Sequence, residues 1–294
     1  MRDERQMTEL IRNFARKEED IRAVFLGGSR ANPNARRDLL QDYDVIFAVR
    51  DVGRYVRDRS WISGFGEILI MQEPDLLDGC VTDSRYVFLM QFMDGNRIDL
   101  TFLREDEVKE RVQADSQTVC LLDKDGHYGT LPLPSDQSYW IGQPEECEFL
   151  ACCNEFWWTA PYVAKGLWRG ELLYAAGVFE ECTRAELFKM LTWRVGEQGG
   201  WRVSAGKYCK DLPGYLSREE RARLTSLYPP LNRRALWNAL EAACGWFAAE
   251  ARGLAGRLNL RYRADEESNV IAFLKDLRAL PAGAKELRPE MSKF

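Results

Sequence analysis

Apolar residues in the first part of the chain form short runs that predict β-strands, after one amphipathic helix. The opening segment 4–19 has apolar side chains at the three-to-four spacing of a helix. Its apolar positions are Met7, Leu10, Ile11 and Phe14. The runs that follow are bounded by glycine or polar residues, as strands are. The predicted strands cover residues 21–26, 44–49, 67–72, 86–93 and 97–103. Asp94-Gly95 predicts a tight type I′ hairpin turn between the last two, because both turn residues must tolerate a positive φ.

The second part of the chain has the spacing of helices. A passage rich in Gly, Pro and Asp at 123–144 interrupts the periodicity and indicates a domain boundary. The predicted helices cover residues 105–114, 145–170, 171–181, 183–198, 218–227, 233–258 and 266–280. Pro161 is expected to kink its helix, and the tail from Pro281 is expected to fray.

These patterns predict an α/β (α+β) fold with two domains. The N-terminal domain, residues 1–140, is expected to carry a mixed β-sheet flanked by helices. The C-terminal domain, residues 141–294, is expected to be a helical bundle that binds substrate.

The charge distribution argues against a nucleic-acid partner. The 294 residues carry a net charge of −5, and residues 1–140 hold 26 acidic and 19 basic side chains, with no basic stripe. An acidic half suits metal ions and a cationic small substrate. Because no apolar run is long enough for a membrane helix and the first twenty residues are polar, we expect a cytoplasmic protein without a membrane partner.

Three aspartates form the main candidate for catalytic chemistry. Asp42 and Asp44 are two apart at the head of a predicted strand, so their side chains leave the same face. Asp99 alternates with apolar neighbours and shares a polar face with Arg97 and Thr101. If the two strands are neighbours, three carboxylates meet, and they repel unless a divalent cation binds or one stays protonated. Oxygen-only ligands favour Mg²⁺.

The turn Gly27-Gly28-Ser29 is a candidate phosphate site. Glycines let the backbone approach a phosphate closely, and amides at the following helix start point towards the anion. Ser29 can donate a hydrogen bond, and Arg30 can contribute a positive charge. Each motif alone is common in ordinary turns and solvated strand ends, whereas their succession along the chain is more specific.

Gly28-Ser29, Asp42-Tyr43-Asp44 and Asp99 together resemble the motif of the polymerase-β-like nucleotidyltransferases. Longer segments, including 41–44, 89–101, 152–158 and 165–169, are similar to bacterial aminoglycoside 6-adenylyltransferases, the streptomycin-modifying enzymes. The resemblance extends over nearly the whole chain. It implies Mg²⁺-dependent transfer of AMP from ATP to an aminoglycoside hydroxyl, most of all the 6-position of streptomycin, with release of pyrophosphate and antibiotic resistance.

The resemblance also implies roles for individual residues. Asp42 and Asp44 would hold Mg²⁺, and Asp99 would complete the metal site and act as general base. Glu155 is the rival base, because some related enzymes use a glutamate of the helical domain. It is also a candidate partner for the guanidinium groups of streptomycin, the alternative being a solvated salt bridge. Lys207 would reach the ATP phosphates, unless it is an exposed loop lysine.

Two other functions are compatible with the same motifs. The enzyme could act on another small-molecule or protein acceptor, or the chain could be a non-catalytic nucleotide-binding module. The three intact aspartates argue against the second alternative. The expected partners are ATP and a cationic aminoglycoside, and a monomer is favoured over an oligomer.

Overall fold

The structure is a computed structural model that describes residues 1–286. The expected fraying of the tail beyond residue 286 lies outside the described residues. The chain divides into two compact units, Met1–Ser138 and Tyr139–Phe294. No helix within residues 1–286 combines the length and the apolar character that a membrane span requires.

The first unit contains a six-stranded mixed sheet. Its strands are β1 (Ile21–Gly27), β2 (Tyr43–Val49), β3 (Ile68–Gln72), β4 (Arg85–Phe92), β5 (Arg97–Arg104) and β6 (Val119–Asp123). Their order across the sheet is β3-β4-β5-β2-β1-β6, and only β2 and β5 run parallel. All five predicted strands are confirmed. The sixth strand, β6, was not predicted, because it is a short half-buried edge strand whose partner β1 is distant in sequence.

Helices cover both faces of this sheet. They are α1 (Glu4–Lys17), α2 (Gly28–Ala31), α3 (Val52–Arg57), α4 (Pro74–Leu77) and α5 (Glu105–Ala114). The predicted helix at 4–19 is confirmed and begins with a capping box between Asp3 and Gln6. Helices α1 and α3 pack on the face that carries Phe47, whereas α5 covers the opposite face around Ala48 and Leu103. Strand alternation places Asp44 on the α5 face, near the beginning of β2.

The predicted type I′ turn between β4 and β5 is wrong. Gly95 has a φ of +87°, but Asp94 keeps a negative φ. The amide of Gly95 donates to the carbonyl of Phe92, and the amide of Phe92 donates to the carbonyl of Asn96, as in a wider turn that ends in a left-handed glycine. The Asp94 side chain accepts hydrogen bonds from Asn96 and Arg2, which holds Asp94 out of the left-handed region.

The second unit is helical, as predicted. Its helices are α6 (Glu146–Arg169), α7 (Leu172–Val178), α8 (Arg184–Gln198), α9 (Arg218–Ser226), α10 (Arg233–Leu258) and α11 (Ala264–Ala279). Helix α6 continues through Pro161, and its Phe156 stacks on Phe247 of α10 with ring centroids 3.8 Å apart. A π-helical turn, Phe179–Thr183, joins α7 directly to α8, so the two helices predicted here are continuous. Buried hydroxyls of Thr159 and Thr183, 3.0 Å apart, tie this turn to α6.

Candidate active site

Three neighbouring strands bring the glycine turn and two of the aspartates into one row. Gly27, the last residue of β1, pairs with Asp44 of β2, and Asp44 pairs with Asp99 of β5. Paired residues of adjacent strands point their side chains to the same face. The strands that carry Asp44 and Asp99 are therefore neighbours, as a shared site requires. Asp42 lies on the same face, two residues before Asp44.

Gly28 lies directly against the carboxylate of Asp44. Its φ of +63° is in the left-handed region, and a Cβ built on it would lie 2.0 Å from Oδ2 of Asp44. Any larger residue would both strain the backbone and displace this carboxylate. Glycine at position 28 is thus required by close packing of the turn on the aspartate.

Arg97 lies among the three carboxylates as an internal cation. Its Nε donates to Oδ1 of Asp99 at 2.7 Å, and its Nη2 donates to Oδ2 at 2.9 Å. The same Nε lies 3.6 Å from Oδ2 of Asp42. The hydrogen bond to Asp99 raises the pKa of Arg97, so the guanidinium stays charged. Alternation along β5 predicts that Arg97 and Asp99 share a face, but only the structure gives the two-pronged ion pair.

Repulsion and burial make Asp44 a weak acid for an aspartate. Burial, and then the charges of Asp99 and Asp42, raise its pKa from 3.8 to about 6, against the opposing effect of Arg97. Burial also raises the pKa of Asp42, although Arg97 and Arg30 oppose this. The three carboxylates therefore carry more negative charge than the Arg97 guanidinium that lies among them can balance.

Without divalent ions, Asp44→Asn is expected to stabilise the protein at pH 7.5. A carboxyl whose pKa is raised on folding costs stability as pH rises from 3.8 through about 6. The full shift corresponds to at most about 3 kcal/mol at pH 7.5 and to almost nothing at pH 4. Urea unfolding in the presence of a chelator at pH 4.5 and 7.5 measures the difference.

The matched control for this measurement is Asp106→Asn. Asp106 is exposed, and its hydrogen bond from Arg104 lowers its pKa, so this variant should gain no stability at pH 7.5. If the wild-type protein is as stable as the Asp44→Asn variant at pH 7.5, the ionised Asp44 carboxylate does not destabilise the fold and the prediction is wrong.

The candidate phosphate-binding residues divide into two groups. The backbone carbonyl and the Oγ of Ser29 each accept a hydrogen bond of 3.2 Å from the side-chain amide of Gln41, which orients Ser29 beside Gly28. Arg30 instead turns inward. Its buried guanidinium donates to the carbonyls of Gln41 and Asp42 and lies 3.8 Å from the ring centroid of Tyr43.

In its buried position Arg30 makes contacts that the sequence did not predict. Its guanidinium joins α2 to the segment that enters β2, and Glu4 lies 3.5 Å away. Because its donors are directed at these groups, Arg30 is arranged to hold the Asp42 backbone in position. The sequence contains no signal for this, since the direction of an arginine after a glycine turn depends on what packs behind it.

Glu155 and Lys207 belong to the second unit. Glu155 is exposed on α6, and among residues 1–286 its carboxylate has no ion-pair partner. Its charge, with those of Glu181 and Glu186, contributes after burial to the raised pKa of Cys182 in the π-helical turn. This part of the surface is therefore acidic.

Lys207 is exposed in a strained turn. Its Nζ lies 5.6 Å from the ring centroid of Tyr208, and both Tyr208 and Cys209 adopt left-handed φ values, 55° and 57°. Gly206 packs against the carboxylate of Asp211, where a Cβ would lie 2.3 Å from Oδ2. The turn presents Lys207 to solvent.

The three aspartates offer the type of ligand atom that a divalent cation binds. Carboxylate oxygens are the donors that Mg²⁺ prefers, and the repulsion that raises the pKa of Asp44 is what a dication would relieve. In the part of the chain that the structure describes, no three acidic, thiol or imidazole groups are arranged to hold a metal ion. The Arg97 guanidinium occupies both oxygens of Asp99 instead.

Comparison with known proteins identifies relatives whose names agree with one another. Residues 1–277 match the protein family described as "Streptomycin adenylyltransferase". The aminoglycoside 6-adenylyltransferase of Staphylococcus aureus is 32% identical over 279 residues, which are 94% of this chain and 99% of the relative. That of Campylobacter jejuni is 35% identical over 268 residues, 91% and 93% of the two chains. A crystal structure of an aminoglycoside 6-adenyltransferase from Bacillus subtilis is similar at 29% identity and a TM-score of 0.48, covering 95% of this chain and all of that one.

A chain that such enzymes match over more than nine-tenths of its length is itself a nucleotidyltransferase. Within that class, the chain belongs to the streptomycin adenylyltransferase family. The resemblance seen in the sequence motifs is confirmed.

Proposed function

We propose that this protein transfers AMP from Mg·ATP to a hydroxyl group of an aminoglycoside, most of all the 6-hydroxyl of streptomycin, and releases pyrophosphate. The observation that carries the proposal is the pairing of Asp44 with Asp99 beside Gly28, in a chain whose relatives are named aminoglycoside 6-adenylyltransferases. Such a reaction would make its host resistant to the antibiotic. We expect it in the cytoplasm, where ATP is supplied.

The proposed chemistry joins the acceptor oxygen to the α-phosphorus and breaks the bond to the pyrophosphate. Asp42 and Asp44 would hold Mg²⁺, with Asp99 as a further ligand. A bound Mg²⁺ would offset charge on the triphosphate and lower the pKa of the attacking hydroxyl. Asp99, whose side chain is partly exposed, would accept the hydroxyl proton. The backbone of Gly28 and the Gln41-oriented hydroxyl of Ser29 would bind the phosphate chain.

We assign the second unit to the acceptor. Glu155 is exposed, lies in an acidic region and has no competing cation among the described residues. A carboxylate of this kind can accept two parallel hydrogen bonds from a guanidinium group, such as those of streptomycin. Glu155 remains the rival general base, and Lys207 the proposed ligand of the ATP phosphates.

Glu155→Gln is expected to raise the KM for streptomycin about tenfold while the KM for ATP changes less than twofold. Loss of one charge-assisted pair removes about 1.5 kcal/mol or more of binding, and tenfold corresponds to about 1.4 kcal/mol. Steady-state kinetics with each substrate varied separately measures both constants. Glu171→Gln, which removes another exposed carboxylate of the same unit, is the control. Equal loss of affinity for both substrates would indicate a structural role, and a loss confined to kcat would favour the role of base.

The whole proposal is tested by incubating the protein with Mg·ATP and a panel of aminoglycosides, and measuring pyrophosphate release and adenylylated product. We expect turnover with streptomycin. Turnover only with another hydroxyl compound or a protein would support a different acceptor. ATP binding without any turnover would support the non-catalytic alternative.

A further inference from the structure

The position of Arg97 has a consequence for how the aspartates bind a cation. Both oxygens of Asp99 accept hydrogen bonds from this one guanidinium, and Asp42 lies within ion-pair distance of it. Arg97 makes no other side-chain hydrogen bond or ion pair within residues 1–286. Its neighbour on β4, Gln91, directs its amide to the carbonyl of Asn96. The guanidinium is therefore held in the site by carboxylates alone.

This ion pair is accessible enough to exchange. The side chains of Arg97 and Asp99 are 38% and 22% exposed, so the pair is partly solvated and is not locked into the core. Arg30 provides the contrast within the same site, because its guanidinium is buried and bound to backbone carbonyls. Of the two arginines, only Arg97 can leave its partners by a side-chain rotation into solvent.

A divalent cation and Arg97 need the same oxygens. A cation held by Asp44 and Asp99 would lie beside the guanidinium, and the two positive charges would repel at short range. The phosphates of a nucleotide resolve this conflict, since the planar fork of an arginine matches phosphate oxygens as well as it matches a carboxylate. Metal and phosphate would therefore favour each other's binding, as reciprocal coupling requires.

We propose that Arg97 is an internal counter-cation that competes with the divalent metal for Asp99 and Asp42 and moves to the nucleotide phosphates when metal and nucleotide bind together. Arg97 would thus act on Asp99 and Asp42 before the nucleotide binds, and on the phosphates once the nucleotide is bound. The inference rests on the proposed metal-dependent function. It adds a reason for the site to bind free metal weakly and the metal–nucleotide complex well.

The test is binding of Mn²⁺ alone to the full chain, by calorimetry or by the signal of free Mn²⁺ in electron paramagnetic resonance. Arg97→Gln is expected to lower the Kd for Mn²⁺ about fivefold relative to wild type, the upper end of what one partly solvated ion pair contributes. Arg97→Lys keeps the charge but loses the planar pair of donors of the guanidinium. Its Kd for Mn²⁺ is expected to lie between the values of wild type and of Arg97→Gln. It also serves if the glutamine variant does not fold.

The matched control is Arg104→Gln. Arg104 is on the same strand and pairs with Asp106 and Glu107, so its loss changes the net charge equally without touching the aspartates of the site. An unchanged or higher Kd in both Arg97 variants would overturn the proposal, as would the same gain in the Arg104 variant or no Mn²⁺ binding by any of these proteins.

This experiment is independent of the acceptor. If no aminoglycoside is adenylylated but Arg97→Gln tightens Mn²⁺ binding, the proposed function fails and the competition stands. If streptomycin is adenylylated but the Arg97 variants bind Mn²⁺ like wild type, the competition fails alone.

Discussion

Asp42→Asn and Asp44→Asn are each expected to reduce the rate of adenylyl transfer by about a hundredfold to a thousandfold, the effect of removing one preorganised electrostatic group from an active site. Asparagine preserves the volume of aspartate, so packing is retained. For Asp44 the raised pKa even predicts a more stable protein. Pyrophosphate release with streptomycin as acceptor measures the rate, and circular dichroism checks the fold.

The control for these variants is again Asp106→Asn, whose exposed carboxylate pairs with Arg104 outside the site. It should retain wild-type activity. Full activity in either the Asp42 or the Asp44 variant would remove that residue from the proposed metal site. Loss of activity together with loss of folded signal would show only that the carboxylate is structural.

Gly28→Ala is expected to reduce activity about a hundredfold, because a new Cβ 2.0 Å from Oδ2 would push the Asp44 carboxylate from its position. Misplacement of a reacting group by about 1 Å can cost that much. The left-handed φ of +63° adds a stability cost of about 1–2 kcal/mol for a non-glycine residue. Kinetics and urea unfolding measure the two effects separately.

Gly79→Ala separates strain from displacement. Gly79 has a similar φ of +67°, but a Cβ there meets nothing within 4 Å. This variant should lose a similar amount of stability and keep its activity. If both alanine variants lose activity equally, or neither does, the contact between Gly28 and Asp44 has no catalytic importance.

The positions of Arg30 and Arg97 show why a sequence motif does not specify the direction of its side chains. The sequence places Arg30 after the glycine turn, where a phosphate-binding role is a reasonable expectation, and places Arg97 two residues before Asp99. In the structure the first is turned inward on Tyr43 and the second lies among the carboxylates. Side-chain direction at the end of a strand depends on the neighbouring elements, and local spacing contains no information about them.

Sequence periodicity determined most of the fold. Strands β1 to β5 and the long helices follow from apolar alternation and from three-to-four spacing, because these patterns reflect which face is buried. The short edge strand β6 and the turn at Asp94-Gly95 did not follow. β6 depends on pairing with a distant strand, and the turn depends on hydrogen bonds from Arg2 and Asn96 to the Asp94 side chain.

The sequence by itself therefore determined the family, strands β1 to β5, the long helices and the identity of the three aspartates. It also determined that Asp42 and Asp44 share a face, since the side-chain period of a strand is two. The tertiary structure alone decided that β2 and β5 are neighbours, that Gly28 packs on Asp44 and that Arg97 pairs with Asp99. The physical reason is that strand order and ion pairing arise from contacts between residues tens of positions apart, which no local pattern specifies.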